Sequence, residues 1–287
     1  MAQKARGNLV TIGADVEVFA VNKEGKHISM CGKIGGTKEK PMQIEGYPYG
    51  FSLQEDNVSC EWNIPPADNL VSFKSYTVAI RKYLEDMFKK QQLLISTQCA
   101  VSFDKDQLTH PNALVFGCEP DYNAWTVREN TKPTSTDPSL RTAGGHIHIG
   151  AENVDMLDGI KAMDLYLGVP SVLLDTSPSA TKRRELYGKS GAMRPKPYGF
   201  EYRVLSNFWM FDDSLIEFIY NNSKKAMSMA NFLNFDKKTE TRIQECINTS
   251  NKEEAKAIVA EFKIPLIQKS ILDVLEGSTY TYTRVFV

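Results

Sequence analysis

The sequence predicts an α+β fold, with strands and loops over the first two thirds and helices over the last. Apolar and polar residues alternate along 9–21, 51–64 and 199–207, the two-residue period of a half-buried strand. From Asp213 onward the apolar spacing changes to three and four, the period of an amphipathic helix. Glycine and proline cluster between the periodic segments and punctuate them.

Taken in order, residues 9–21 form a strand around Gly13, and Gly25-Lys26 reads as a hairpin turn. Residues 28–50 carry seven glycines or prolines and read as an irregular loop. The 51–64 strand stops at Pro65-Pro66, because proline cannot donate to a sheet interior. Residues 69–90 form a helix with an apolar stripe of Val71, Tyr76, Ile80, Tyr83, Leu84 and Met87. Short strands follow at 93–103 and 113–118. Residues 119–142 lack periodicity and read as a long loop, a feature often tied to function. A buried strand at 144–151 precedes a helix at 154–174, interrupted at Pro170. Residues 177–200 read as a second polar loop crowding Lys182, Arg183, Arg184, Lys189, Arg194 and Lys196. Helices are expected at 213–233, 237–247, 252–262 and 264–276. The chain reads as one domain over 1–287, with 213–287 its mainly helical C-terminal part.

Bulk properties narrow the function. With 287 residues the chain can bury a sizeable core, and a formal net charge of -1 gives no strong global field for nucleic acid or an anionic membrane, which leaves room for a local basic patch. No apolar run approaches the roughly 20 residues that span a bilayer. The first residues lack the apolar stretch of a signal peptide. Five scattered cysteines form no Cys-x-x-Cys pair, which argues against a disulfide scaffold or structural zinc and suits a reducing cytoplasm. The oligomeric state stays open.

Chemistry concentrates at four strand positions. Residues two apart on a strand share a face, so Asp15 and Glu17 point one way while Val16 and Val18 point to the core. Glu61 and Asn63 share a face in the same manner, with Gln54 and Asp56 just upstream. Such carboxylates suit a hard cation, and equally suit a wet outer face of an antiparallel sheet. Two of the four histidines, His146 and His148, sit together on Gly144-Gly145-His146-Ile147-His148-Ile149-Gly150. The flanking glycines would let a ligand approach the backbone. Zinc is a weaker reading, since no cysteine or His-x-x-x-His helix completes the set. Glu201 and Arg203 share a fourth face, as an ion pair or as a metal ligand beside a phosphate-binding cation. Gly188-Lys189-Ser190 is not a Walker A loop, because the spacing is absent. Cys118 with His146 could form a nucleophile pair, but nothing in the spacing selects it.

Five segments together resemble the phage amidoligases of the carboxylate–amine ligase type 2 (COOH.NH2) family, in the glutamine synthetase-like superfamily. They are Gly-Ala-Asp-Val-Glu at 13–17, Glu-Trp-Asn-Ile-Pro-Pro at 61–66, Gly-Cys-Glu-Pro-Asp-Tyr-Asn-Ala-Trp at 117–125, Ala-Gly-Gly-His-Ile-His-Ile-Gly at 143–150, and Leu-Tyr-Gly-Lys through Glu-Tyr-Arg at 186–203. The resemblance implies a curved antiparallel sheet of glutamine synthetase-like type, with helices on its outer face and a helical C-terminal portion. It implies ATP and Mg²⁺, or Mn²⁺ in its place, and an acyl-phosphate route from a carboxylate and an amine to an amide. The implied metal ligands are Glu17, Glu61, His146 and Glu201. The implied catalytic set is Glu61, Arg194 and Arg203, and the nucleotide set is His146, His148, Lys189, Arg194, Lys196 and Arg203. Asp15, Asn63 and Arg141 are further candidates. The substrates implied are small-molecule or peptide carboxylates and amines, in a host cytoplasm for a phage protein. The loops 119–142 and 177–198 would supply a lid. Two other functions stay open: a non-catalytic nucleotide- or peptide-binding protein on this scaffold, and a nucleic-acid-associated protein using the basic segment 182–196.

Overall fold

Alternation along the chain resolves into fourteen strands among the residues that the computed structural model describes, 9–114, 121–131 and 135–267. They are β1 (Thr11–Val18), β2 (Ala20–Asn22), β3 (His27–Ile28), β4 (Met42–Gln43), β5 (Ser52–Asp56), β6 (Ser59–Ala67), β7 (Leu93–Ile95), β8 (Ala100–Ser102), β9 (Tyr122–Asn123), β10 (Arg128–Glu129), β11 (Leu140–Thr142), β12 (Gly145–Gly150), β13 (Ala192–Lys196) and β14 (Gly199–Tyr202). The helices are α1 (Leu70–Lys90), α2 (Pro111–Leu114), α3 (Met156–Met163), α4 (Val169–Leu174), α5 (Ala180–Leu186), α6 (Asp213–Met229), α7 (Lys237–Thr249) and α8 (Lys252–Glu261). Nine strands pair into one sheet in the order β10-β9-β13-β14-β12-β1-β6-β5-β4. Every pairing in it is antiparallel. The predicted α+β class is therefore the observed one.

One face of this sheet is apolar. Val16, Trp62, Ile147 and Tyr202 are fully buried there. The long helices cover it: Phe73 of α1 stacks on Trp209 at 6.0 Å between ring centroids, and Trp209 meets Trp62 edge-on at 6.3 Å. Helix α1 starts where the Asn69 side chain accepts from Ser72 N. Its buried stripe is Phe73, Thr77, Ile80, Leu84 and Phe88. This corrects the expected stripe by a rotation: Val71 is exposed, and Tyr76, Tyr83 and Met87 flank the core. Each fully buried Phe, Ile or Leu stabilises by about 1.5–3 kcal/mol.

Several boundaries differ from expectation for physical reasons. Residues 51–64 are two strands of a hairpin, turned at Asn57 with φ +55. Asn tolerates that left-handed conformation nearly as well as glycine. β6 runs through Pro65-Pro66 because the register against β1 shifts between Ile12 and Ala14, and a bulge asks no hydrogen bond of a proline. Residues 93–103 split into two strands of two small sheets, β3-β2-β7 and β11-β8. Ala113 and Leu114 end α2, and the rest of the expected 113–118 strand lies outside the described residues.

The 154–174 helix is interrupted before Pro170, by a π-helical turn at Asp164–Gly168. Proline lacks the N–H that would reach the Tyr166 carbonyl. The Asn222 side chain of α6 donates to that carbonyl instead, at 3.2 Å. The basic 177–200 segment is not a loop but α5 followed by the β13–β14 hairpin. The expected helices at 213–233, 237–247 and 252–262 form, the first ending in a 3-10 turn at Ala230–Phe232. Residues 264–267 are not helical, and 268–276 lie outside the described residues.

Candidate functional site

The sheet's other face carries the polar groups, and its register assembles them. Asp15 on β1 lies opposite Asn63 on β6 and opposite His146 on β12. Glu17 lies opposite Glu61, which lies opposite Gln54 on β5. Gly13 faces His148, His148 faces Glu201 on β14, and Glu201 faces Arg194 on β13. Antiparallel pairing puts directly opposed side chains about 5 Å apart. Four alternating motifs scattered over nearly 200 residues thus become one continuous polar surface.

The acidic end is built by Glu17, Asp56 and Glu61, whose oxygens lie within 4.8 Å of one another. Burial raises the Glu17 carboxyl to about 8, helped by Asp56; the Gly144 N–H at 2.7 Å, Arg203 and Arg183 oppose the rise only partly. Burial likewise lifts Glu61 well above the ordinary carboxylate range, with Asp15, Asp56 and Glu17 adding to it. The negative charge of this group is therefore under-compensated by the protein. A cleft of about 410 Å³ opens beside it, lined among others by Glu17, Asp56, His146, Arg183 and Arg203.

The other end is richer in cations. Glu201 is fully buried, with Arg203 Nη1 in direct contact, Lys196 Nζ at 2.9 Å and Arg194 Nη1 at 3.6 Å. Burial and Asp15 push its carboxyl up, but Arg203, His146 and His148 outweigh them and bring it to about 2. Asp15, His148 and Glu201 form a second group with ligand atoms within 4.8 Å. Asp15 bridges the two histidines, Oδ1 to His146 Nδ1 at 2.9 Å and Oδ2 to His148 Nε2 at 3.0 Å. Burial opposes ionisation of Asp15, yet the histidines hold it well below its usual range. Burial and Arg203 lower the His146 pKa, against the raising effect of Asp15 and Glu201. Asp121 stands 3.8 Å from Arg203.

Of the residues singled out from sequence, Glu17, Glu61, His146, His148, Arg194, Lys196, Glu201 and Arg203 share this face, as do Asp15 and Asn63. Lys189 does not: its Nζ reaches the Asn248 carbonyl at 3.5 Å. Arg141 holds the cleft wall together, donating to Asn57 Oδ1 and to the carbonyls of Pro138, Leu140 and Ala113. The basic segment is not one surface. Arg183 is buried against the Val204 carbonyl, Arg184 against Ser171 Oγ, and Lys182 pairs with Glu185. This removes the continuous basic patch that nucleic-acid binding through 182–196 would need. β13 and β14 lie inside the sheet, so the end of the 177–198 segment is not a loop. The histidine-strand glycines make room for the protein's own groups. A Cβ on Gly144 would meet the His146 ring at 2.3 Å, and one on Gly145 the Ser206 carbonyl at 2.4 Å.

Three contributors were not singled out as site residues. Asp56 sits on the same alternating face as Gln54, so alternation could have found it. Asp121 carried no signal beyond the motif containing it. Asp164 is buried behind the sheet, on the π-helical turn. It accepts from Trp125 Nε1 and Gly191 N at 2.7 Å and from Tyr202 OH at 2.8 Å. It thereby fastens the turn after Asp121, the start of β13 and the residue between Glu201 and Arg203. Burial raises its carboxyl to about 6 against those three donors. The 117–120 part of the 117–125 motif, with Cys118, lies outside the described residues.

Residues 136–278 match the family described as phage phiEco32-like COOH.NH2 ligase-type 2, in agreement with the resemblance read from the motifs. No curated protein matches the chain. In fold it is similar to a bifunctional glutathione synthetase from Pasteurella multocida, with a TM-score of 0.53 and 11% identity over 94% of this chain. The chain spans 47% of that protein, about half its length. Two structures of GmaS are more distant. The ligand-free form has a TM-score of 0.35 at 11% identity, covering 94% of this chain and 73% of that one. An ADP complex has 0.33 at 12%, covering 93% and 74%.

Proposed function

We propose that this chain, which matches the COOH.NH2 ligase-type 2 family over residues 136–278, is an ATP- and magnesium-dependent ligase that joins a carboxylate to an amine. The observation that carries the proposal is the graded polar face. An under-compensated acidic group at Glu17, Asp56 and Glu61 adjoins a cationic group at Arg194, Lys196 and Arg203. Oxygen ligands suit Mg²⁺, and the mixed group of Asp15, His148 and Glu201 suits Mg²⁺ or Mn²⁺. These residues would hold divalent cations that offset the charge of the polyphosphate.

In the proposed reaction, a carboxylate oxygen of the substrate attacks the γ-phosphorus of ATP, and ADP leaves. The amine nitrogen then attacks the acyl carbon of the acyl phosphate, the C–O bond breaks, and phosphate and a proton depart. The protein's part is positioning and electrostatics. Arg194, Lys196 and Arg203 bind and orient phosphoryl oxygens, and Glu201 fixes all three cations in place. Glu61 and Glu17, whose raised carboxyls hold protons in the metal-free protein, would release them to bind a cation. The cleft's volume suits a small molecule or the end of a peptide.

The test is ADP release from Mg-ATP with pooled small carboxylates and amines. Release that requires both classes together, and that disappears in Glu61→Gln, supports the ligase. Release without either substrate, or none with any pool, contradicts it. A protein that binds nucleotide or peptide without turnover would show binding unchanged by that substitution.

A further inference from the structure

We propose that Tyr198 is the positioning residue that sets His148 as a metal ligand; the inference rests on the cation-binding reading above. His148 Nδ1 is hydrogen-bonded to the Tyr198 hydroxyl, and the two rings stand 6.0 Å apart. Its Nε2 points the other way, 3.0 Å from Asp15 Oδ2 and into the group with Glu201. Nδ1 is thus held by the hydroxyl, while Nε2 is buried beside the carboxylates with no hydrogen-bond partner among the described residues.

The fold fixes Tyr198 for this contact. Lys196 pairs with Gly199, so Pro197-Tyr198 is the two-residue turn between β13 and β14. Gly199 takes φ +147, and a Cβ there would lie 2.1 Å from the Ile149 carbonyl, so the turn lies tight against the strand that bears His148. Tyr198 is 52% exposed, so apolar packing alone does not account for its orientation.

A hydroxyl suits this position because it both donates and accepts. Without a cation, the Tyr198 hydroxyl can donate to Nδ1. As a ligand through Nε2, the neutral imidazole must carry its proton at Nδ1, and the Tyr198 oxygen then accepts it. A carbonyl or an ammonium in the same place would serve only one of the two states. His146 lacks this freedom, because its Nδ1 faces Asp15 Oδ1 and Arg203 flanks it. His148 is therefore the histidine whose Nε2 stands ready for a cation.

The experiment uses the full chain and Mn²⁺ alone as probe. Mn²⁺ binding is followed by electron paramagnetic resonance in the wild type, Asp15→Asn and Tyr198→Phe, with imidazole ¹⁵N shifts recorded in the metal-free proteins. Tyr198→Phe keeps the ring, and its melting temperature checks folding. The expected result is that the Mn²⁺ class removed by Asp15→Asn weakens about tenfold or more in Tyr198→Phe, the usual cost of losing an outer partner of a ligating histidine. A class unaffected by Asp15→Asn keeps its affinity, and the His148 nitrogens in metal-free Tyr198→Phe shift toward a mixture of tautomers. Unchanged Mn²⁺ affinity in Tyr198→Phe, with wild-type binding intact, overturns the role of Tyr198 alone. Absence of any Mn²⁺ class sensitive to Asp15→Asn in the wild type overturns the cation reading beneath it.

Discussion

Replacing Glu17 by glutamine should stabilise the metal-free protein, by an amount that grows with pH. The folded carboxyl titrates at about 8 against an ordinary value of 4.5. Between those values the folded state holds a proton that the unfolded state has released, so stability falls as pH rises through that window. At pH 7 about 2.5 units of the shift are expressed, and at about 1.4 kcal/mol per unit this is a penalty of about 3 kcal/mol. At pH 5 it is under about 1 kcal/mol by the same relation. These are upper figures, because Glu17 borders an open cleft where water screens it. Glutamine keeps an acceptor for the Gly144 N–H and carries no charge toward Asp56. Urea denaturation with chelator at pH 5 and pH 8 measures the effect. The variant should gain little at pH 5 and several kcal/mol at pH 8. Adding Mg²⁺ should then narrow the gap at pH 8. A ligand at 100 times its dissociation constant adds about 2.7 kcal/mol to the protein that binds it. A variant less stable than wild type at pH 8, or a gap independent of pH, would refute the reasoning.

Three further outcomes follow from particular contacts. Glu61→Gln should abolish ATP turnover while leaving the metal-free melting temperature equal to or above wild type, because the buried acid is already held neutral; a loss of several degrees would contradict that. Asp164→Asn should cost about 2–3 kcal/mol in urea denaturation, since its amide turns a donor toward the N–H and O–H groups now donating to the carboxylate. A cost below about 0.5 kcal/mol would mean Asp164 is not the fastener described. Asn222→Leu strips the Tyr166 and Pro265 carbonyls of a buried donor and should cost about 1–3 kcal/mol each where no water replaces it, read from the same denaturation curves.

The polar face was legible in sequence because a strand's two-residue period is rigid. Asp15 with Glu17, Glu61 with Asn63 and His146 with His148 could only point the same way. What alternation could not supply is register. That Glu17 meets Glu61 while Asp15 meets His146 depends on how β1 pairs with β6 and with β12, strands far away in the chain. The motif resemblance bridged that gap for the family, but not for Lys189, which lies between α5 and β13 and reaches the Asn248 carbonyl. Residues 177–200 read as a loop because their buried anchors are few. Arg183 and Arg184 are buried through hydrogen bonds to Val204 and Ser171, a device that hydrophobic pattern cannot register. Asp164 was invisible for a related reason. A lone carboxylate in an apolar helix gives no sign of the three donors that converge on it.

The most direct test is a crystal structure with a non-hydrolysable ATP analogue and Mn²⁺, the metal located by its anomalous scattering. The account predicts Mn²⁺ at Glu17, Asp56 and Glu61 and at Asp15, His148 and Glu201, with the phosphates against Arg194, Lys196 and Arg203. Nucleotide bound away from this face, or no Mn²⁺ at either group with every glutamate intact, would contradict it.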